Sequence, residues 1–380
     1  MIVNLTPLTP FLVKSGSDLS LLDLLERDNA LYRIDTDFLA GNLSERDNEK
    51  LAAIMDRFAG EKKRAIVASS RGGRNRTWGK PDPPNFEPIW KDLQALYNSE
   101  SLGKFVRVVG PAMAFRSRRF TKNALFSDYA HIDYRSGESR EAVPYIPGST
   151  IKGSISRGII FNYLQKRPRK GNGRFILSMD ERGSLRDLMS FIQVTDFYPL
   201  GAYSIEMSEL IGERRKADNG IPLVTGGTFS GDIGIGISVG SYMRLENKLR
   251  SSLIKMLLMA DEWKSMPLPE LGKRIVMQII RHTSSYVEGV VRKHKEYYPA
   301  IAEGSSYMDI GFGKGISMTG FVEYKQELNI GDAVTKRPAV SHYLFPQGRL
   351  KLGLMRVDMP ARNLNFVEGV AERFETARVK

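Results

Sequence analysis

Apolar residues along this chain recur at two different spacings, and segments with the two spacings alternate irregularly. Helix-like spacing of three and four residues marks three segments: 44–59, 149–164 and 270–298. Strand-like segments lie around them, at 1–13, 30–35, 104–115, 191–196, 202–211, 223–239 and 349–357. A doubly wound parallel sheet needs regular strand–helix alternation, so this order predicts an α+β fold.

Three other segments complete the predicted outline. Residues 18–27 are predicted to form a short helix capped by Ser17 or Asp18. Residues 116–147 have little periodicity and are predicted to form a long loop, which is uncommon unless it is functional. Glycines mark another loop at 304–320.

Length and composition exclude several classes of protein. At about 150 residues per domain, 380 residues suggest two or three domains, and 42% hydrophobic residues exclude wholesale disorder. The absence of cysteine excludes disulfides, thiolate zinc sites and a cysteine nucleophile, and it fits a reducing cytoplasm. No apolar run approaches the roughly 18 residues of a membrane span, and the N-terminus is predicted to be a strand rather than a signal peptide.

The net charge of +13 is concentrated in three stretches without acidic residues. These stretches are 62–80, 104–122 and 165–174, and together they carry 18 basic residues. The rest of the chain has 38 basic and 43 acidic residues, a net charge of −5. Localised positive charge of this kind indicates a polyanionic partner, although a basic protein without such a partner is the alternative.

Three aromatic residues lie among these charges: Trp78, Phe115 and Phe120. Arginine interleaved with aromatic rings suits single-stranded nucleic acid, which is held by backbone charge and base stacking. The alternative is a set of solvated loops whose aromatic side chains anchor them to the core.

A glycine-marked segment, Pro147 to Gly153, directly precedes and opens the helix predicted at 149–164. Helix N-termini expose N–H groups and a partial positive charge, yet this first turn carries Lys152 and no acid. A bound phosphate would satisfy both the N–H groups and the lysine. The alternative is an ordinary Ser or Thr cap with an exposed Lys152.

The second glycine-marked segment runs from Gly311 to Gly320. Its glycines allow close approach of another chain, and successive N–H groups can form an anion-binding nest. The spacing is not that of a Walker A loop, which places a Gly-Lys-Ser/Thr after a four-residue spacer.

Several segments together resemble the RAMP superfamily of CRISPR-associated RNA-binding proteins, and within it the capping subunit of the type III-A (Csm) effector complex. The most specific match is Tyr145 to Gly153, Tyr-Ile-Pro-Gly-Ser-Thr-Ile-Lys-Gly. Other similar segments, in chain order, are 5–16, 32–35, 191–196, 228–231 and 311–319. One departure is Leu12, which stands where family members often have histidine, so no role of that histidine is carried over.

The resemblance implies two ferredoxin-like (RRM-like) RAMP modules with basic loop insertions, predicted at 1–200 and 201–380 with the Gly-rich loop in the second. It also implies a cytoplasmic, non-catalytic subunit that binds the guide RNA (crRNA) toward its 3′ end and caps a filament of backbone subunits. That role would support crRNA maturation and antiviral defence. The implied partners are crRNA, with target RNA as a further candidate, and the backbone RAMP and small subunits of the Csm complex.

Motif positions and basic stretches together predict the RNA-binding residues. These are Lys14, Ser15, Gly16, Arg116, Arg118, Arg119, Lys122, Gly148, Ser149, Thr150, Lys152, Arg157, Gly311, Gly313, Lys314 and Gly315. No cofactor, metal site or catalytic residue is predicted.

Catalysis has one candidate among the four histidines, since metal-free RNA cleavage needs a base near the 2′-hydroxyl. His131 has Lys122 and Asp133 near it in the sequence, whereas His282 and His294 fit packing roles and His342 has no visible partner. A non-catalytic RNA-binding subunit is therefore preferred, with a guide-RNA-processing endoribonuclease and a protein-only scaffold as alternatives.

Overall fold

The computed structural model describes residues 1–70, 85–117, 120–121, 125–136, 139–166, 177–212, 218–236, 266–311, 328, 343–345 and 350–360. Its helices are α1 (Thr36–Gly41), α2 (Glu45–Ser70), α3 (Glu87–Tyr97), α4 (Glu100–Gly103), α5 (Gly148–Lys166), α6 (Met179–Phe191) and α7 (Leu268–Lys293). Its strands are β1 (Ile2–Pro7), β2 (Lys14–Ser20), β3 (Leu24–Arg27), β4 (Ala30–Ile34), β5 (Val108–Phe115), β6 (Leu125–Tyr129), β7 (His131–Ser136), β8 (Ser139–Pro144), β9 (Ile192–Val194), β10 (Tyr198–Pro199), β11 (Ser204–Gly212), β12 (Asp218–Gly226), β13 (Phe229–Ile235), β14 (Ser306–Asp309), β15 (Tyr343–Phe345), β16 (Leu350–Lys351) and β17 (Leu354–Asp358).

One sheet has six strands, in the order β10-β13-β1-β17-β14, with β9 paired to β13. All of its strand pairs are antiparallel. Strand β1, from the start of the chain, lies between β13 and β17. The sheet therefore joins the two predicted domains, 1–200 and 201–380, because both contribute strands to it.

Helices α5 and α7 pack against each other beside this sheet, and their backbones come close together at Gly158. A Cβ atom at that position would lie 2.5 Å from Cα of Thr283, so only glycine allows the two backbones to come this close. Ile155 and Ile159 of α5 and Ile279 of α7 are buried at the same interface region of the core. Helix α5 is buried on nearly all sides in its second half, since Arg157 to Phe161 are all buried.

The other large sheet has nine strands and is built mainly around β5 and β11, which run parallel to each other. Its main order is β16-β15-β11-β5-β4-β3, with β12 on β11, β8 on β5 and β7 on β8. A third, two-stranded sheet pairs β2 with β6. The chain thus has a mixed α/β fold with curled sheets.

The β3 edge of the nine-stranded sheet is closed by a side chain of α3. The Gln94 amide accepts a hydrogen bond from the Glu26 N–H at 2.6 Å and donates one to the Leu24 carbonyl at 2.9 Å. Tyr97 of the same helix donates to the Leu22 carbonyl at 2.7 Å. Edge strands expose unpaired backbone groups, and here a helix pairs with them.

Helices α2, α5 and α7 and strands β4 and β11 confirm the sequence predictions at those positions, and two other predictions are wrong. Residues 18–27 form strand and a 3₁₀ turn at Leu21–Asp23, because Ser20 caps that turn and β2 and β3 pair with β6 and β4. Residues 116–147 include β6, β7 and β8 rather than one long loop. Among the described residues, no helix has the length and apolarity to cross a membrane.

Candidate nucleic-acid interface

The first glycine of the Gly-rich segment lies against the N-terminal loop. Gly311 has φ +93°, and a Cβ atom there would lie 2.6 Å from the carbonyl oxygen of Leu12. Neither the backbone conformation nor the close approach tolerates another residue without strain. Two segments that are far apart in the sequence, both predicted to bind RNA, therefore meet at this point.

The same N-terminal loop is joined by backbone hydrogen bonds to the segment that leads into α5. The N–H of Ala130 donates to the Val13 carbonyl at 2.6 Å, and the N–H of Tyr145 donates to the Ala130 carbonyl at 3.1 Å. These three residues lie side by side, as neighbouring strands do. These contacts connect the Gly311, Val13 and Tyr145 regions, and we call the exposed part of these segments the Val13–Tyr145 surface.

Lys14, Ser15 and Gly16 are exposed on this surface. The Ser15 hydroxyl accepts a hydrogen bond from the Ser17 N–H at 3.0 Å and lies 2.7 Å from the Ser17 hydroxyl. Such side-chain bonds to nearby backbone groups order a tight turn. The turn follows Lys14, which pairs with Tyr129 of β6 and is exposed.

The start of α5 has an acceptor that the sequence analysis missed. The Gly148 N–H donates to Oδ1 of Asp196 at 2.8 Å, so a carboxylate occupies the position predicted for a phosphate on that group. The Thr150 N–H donates to the Pro147 carbonyl at 2.8 Å. Ser149 is exposed and Lys152 is half-buried, so both side chains still reach the surface.

Arg157 lies in the core rather than on this surface. It is 5% exposed, and its Nη2 donates to the Asp309 carbonyl of β14 at 2.6 Å. Its helical face is the one that carries the buried Ser154 and Gly158. The guanidinium therefore ties α5 to the six-stranded sheet, and the prediction that it contacts RNA has no support from its position.

Arg116 lies directly after β5 in the nine-stranded sheet. Its side chain is 70% exposed, and its Nε lies 3.7 Å from Oε1 of Glu206 on β11. Burial raises the pKa of Glu206, and the Arg116 charge opposes that rise. The remaining predicted residues, Arg118, Arg119, Lys122, Gly313, Lys314 and Gly315, lie outside the described residues.

A cluster of charged side chains around Asp128 and Arg33 underlies the Val13–Tyr145 surface. Asp128 is fully buried, and its Oδ2 lies 2.8 Å from Nη2 of Arg33 on β4. The carbonyl oxygen of the same aspartate lies 3.5 Å from the Ser15 hydroxyl. Buried charges require such pairing, so Arg33 and Asp128 fix β4 and β6 beneath the loop. No sequence signal marked this pair.

His131 belongs to that cluster. Its Nδ1 donates to the Tyr129 carbonyl at 2.9 Å, and its Nε2 lies 3.2 Å from Nη1 of Arg33 and 3.6 Å from Oδ1 of Asp133. Arg140 in turn binds Asp133 at 2.5 Å. Both ring nitrogens thus already face protein groups.

Two of the three aromatic residues predicted near the basic stretches can be placed. Phe120 is buried and packs edge-to-face with Trp90 at 5.4 Å and with the half-buried Phe115 at 5.7 Å. These rings anchor the chain to the core, which was the alternative interpretation. Trp78 lies outside the described residues. A different aromatic pair, Tyr145 and Tyr198, stacks beside the start of α5.

No protein-family model and no curated protein sequence matches this chain. In structure, it is similar to a chain in a cryo-EM structure of a Csm–crRNA–target RNA ternary complex of a type III-A CRISPR–Cas system. The two are 13% identical with a TM-score of 0.54, over 94% of this chain and 100% of that chain. The crystal structure of Csm5 from T. onnurineus aligns at 14% identity with a TM-score of 0.48, over 93% and 99%. The first alignment shows that this chain shares the fold of a chain of a Csm complex, as the predicted resemblance implies.

Proposed function

We propose that this chain is a non-catalytic RNA-binding subunit of a type III-A CRISPR (Csm) effector complex. The observation that carries the proposal is the Val13–Tyr145 surface. It connects three segments predicted to bind RNA, by direct contact of Gly311 with Leu12 and through Ala130 between Val13 and Tyr145, within a fold that is similar to a chain of a Csm–crRNA complex.

The chemistry of this surface suits a single RNA strand. Lys14 and Lys152 supply positive charge for phosphates. Asp196 already satisfies the Gly148 N–H, so we assign phosphate contact to the two lysine side chains rather than to that helix end.

The resemblance to the capping subunit extends the proposal. We propose that this surface binds crRNA near the 3′ end of the RNA. The backbone RAMP subunit and the small subunit are its proposed protein neighbours, and the cytoplasm is its proposed location. We also retain the proposal of two ferredoxin-like modules. Support for one comes from the antiparallel strands β13, β1, β17 and β14 with α5 and α7 packed beside them.

The absence of catalysis is part of the proposal and rests on the position of His131. General-base catalysis needs a ring nitrogen within hydrogen-bond reach of the 2′-hydroxyl, whereas both nitrogens here contact Arg33 or the Tyr129 carbonyl. Incubation of the purified protein with labelled repeat RNA, with and without EDTA, tests this. Specific cleavage that disappears in His131→Ala would instead establish the endoribonuclease alternative.

The binding proposal is tested by the salt dependence of RNA affinity. Each phosphate contact on a single strand should contribute about −0.7 to the log–log salt slope. We expect Lys14→Ala and Lys152→Ala each to weaken binding for every RNA sequence and to make the slope shallower, because phosphates carry no sequence information.

Lys91→Ala is the matched control, because Lys91 is an exposed lysine on α3, where its Nζ lies 4.0 Å from Oε1 of Glu87. It removes the same charge and should leave the slope unchanged. A flat slope for the wild-type protein would reject RNA binding and favour the protein-only scaffold.

A further inference from the structure

An antiparallel bridge sets the orientation of two tyrosines next to the start of α5. Ile146 and Phe197 exchange backbone hydrogen bonds, both at 2.9 Å, and both side chains are fully buried. Successive side chains in extended backbone point to opposite sides. Their neighbours Tyr145 and Tyr198, which lie opposite each other across the bridge, therefore point away from this part of the core.

The two tyrosine rings stack on each other. Their centroids are 5.9 Å apart and their planes differ by 24°, and both residues are half-buried. Core aromatic pairs in this protein are different: Phe11 and Phe229, for example, are almost completely buried and meet edge-to-face at 5.5 Å. The tyrosine pair thus combines a stacked arrangement with access to solvent.

The position of the pair connects it to the Val13–Tyr145 surface. Tyr145 is itself the residue whose N–H bonds to Ala130, one strand away from the Lys14 loop. Tyr198 follows Asp196, which holds the N–H of Gly148 at the start of α5. Ser149 and Lys152 of the first helical turns are therefore close neighbours of the rings along the chain.

We propose that Tyr145 and Tyr198 form a platform on which one base of a bound single-stranded RNA stacks. The rings already contact each other, so the base extends the stack at an outer ring face instead of inserting between them. Phosphate contact at the lysines and stacking on the rings together make the combination by which proteins hold single strands without reading their sequence. This proposal rests on the proposed function.

The test compares ring removal with hydroxyl removal. In Tyr198→Ala and Tyr145→Ala we expect affinity for a single-stranded RNA oligonucleotide to fall about tenfold, with an unchanged salt slope. Tyr198→Phe and Tyr145→Phe keep the rings and should bind as the wild type does. Wild-type affinity in both alanine variants, or equal losses in the alanine and phenylalanine variants, would overturn the platform.

A second measurement uses the wild-type protein and does not depend on how the variants fold. Single-stranded RNAs carrying one 2-aminopurine at successive positions report base stacking by loss of fluorescence. We expect loss of fluorescence on binding at one or more positions, and recovery there in folded alanine variants. RNA binding without any such change would overturn the platform alone, whereas absence of RNA binding by the wild type would overturn the proposed function with it.

Discussion

The carboxylate of Asp196 accepts a hydrogen bond from the backbone N–H of Gly148 at 2.8 Å, across 48 residues of sequence. Helix α5 therefore receives its N-terminal acceptor, and a negative charge that complements the helix dipole, from the chain segment between β9 and β10. The first turn of the helix has no acid of its own because another part of the fold supplies one.

Replacement of Asp196 should lower stability by the cost of a lost helix cap. We expect Asp196→Ala to reduce the free energy of unfolding by about 1 kcal/mol. Asp196→Asn keeps an acceptor oxygen and should lose less. Urea denaturation followed by circular dichroism measures both variants, and equal stability of Asp196→Ala and the wild type would show that the bond does not stabilise the helix.

Gly158 and Gly153 offer a matched pair on one helix. Gly158→Ala places a methyl group 2.5 Å from Thr283 Cα, and such overpacking should cost about 1–3 kcal/mol. A Cβ at Gly153 meets nothing within 4 Å, so Gly153→Ala should stabilise the helix by up to about 1 kcal/mol. Thermal unfolding of both variants checks this, and two shifts in the same direction would contradict the packing of α5 on α7.

The Arg33–Asp128 ion pair should contribute far more than an exposed pair. Asp128→Ala leaves Arg33, whose side chain is only 17% exposed, without its carboxylate, and we expect a loss of about 3 kcal/mol. The control is Asp92→Ala, because the Arg57–Asp92 pair is about half exposed on both sides and should contribute less than about 1 kcal/mol. Urea unfolding measures both variants. Similar losses in the free energy of unfolding would contradict the buried position of Asp128.

Alkaline pH should destabilise the protein through Tyr129. Burial raises the pKa of Tyr129 from 10.0, the value of an exposed tyrosine, to about 12; the smaller effect of Arg33 lowers this pKa and that of Asp128 raises it. Between these values the unfolded chain releases the phenolic proton first, so stability is complete below pH 10 and falls as the pH rises toward 12. The unfolding midpoint in urea, measured from pH 8 to pH 11, should fall less steeply in Tyr129→Phe. Identical pH dependence would contradict the raised pKa.

Helices with regular apolar spacing could be predicted from the sequence, because one buried face determines the pattern. The strands β6, β7 and β8 could not, since their charged residues Asp128, Asp133 and Arg140 interrupt the apolar pattern and are stabilised by ion pairs with one another or with Arg33. Helix α3 was not among the predicted helices, although its sequence has the apolar spacing of a helix. The residues with that spacing are all buried: Ile89, Trp90, Leu93, Leu96 and Tyr97.

The segments of the candidate interface could be predicted from their resemblance to a family, but their contacts could not. Because the residues are far apart in the sequence, the sequence alone does not show that Gly311 packs against Leu12 or that Asp196 accepts a hydrogen bond from Gly148. Nor does the sequence show that the buried Arg157 donates a hydrogen bond to the Asp309 carbonyl. Each of these contacts depends on tertiary packing between elements far apart in the chain.

The most direct test of the account is to locate RNA on the protein by photo-cross-linking. Single-stranded RNA carrying 4-thiouridine is irradiated with the wild-type protein, and cross-linked peptides are identified by mass spectrometry. We expect cross-links in the peptides that contain Lys14 and Tyr145–Lys152. Cross-links confined to the region of Arg116 on the nine-stranded sheet would contradict RNA binding at the Val13–Tyr145 surface.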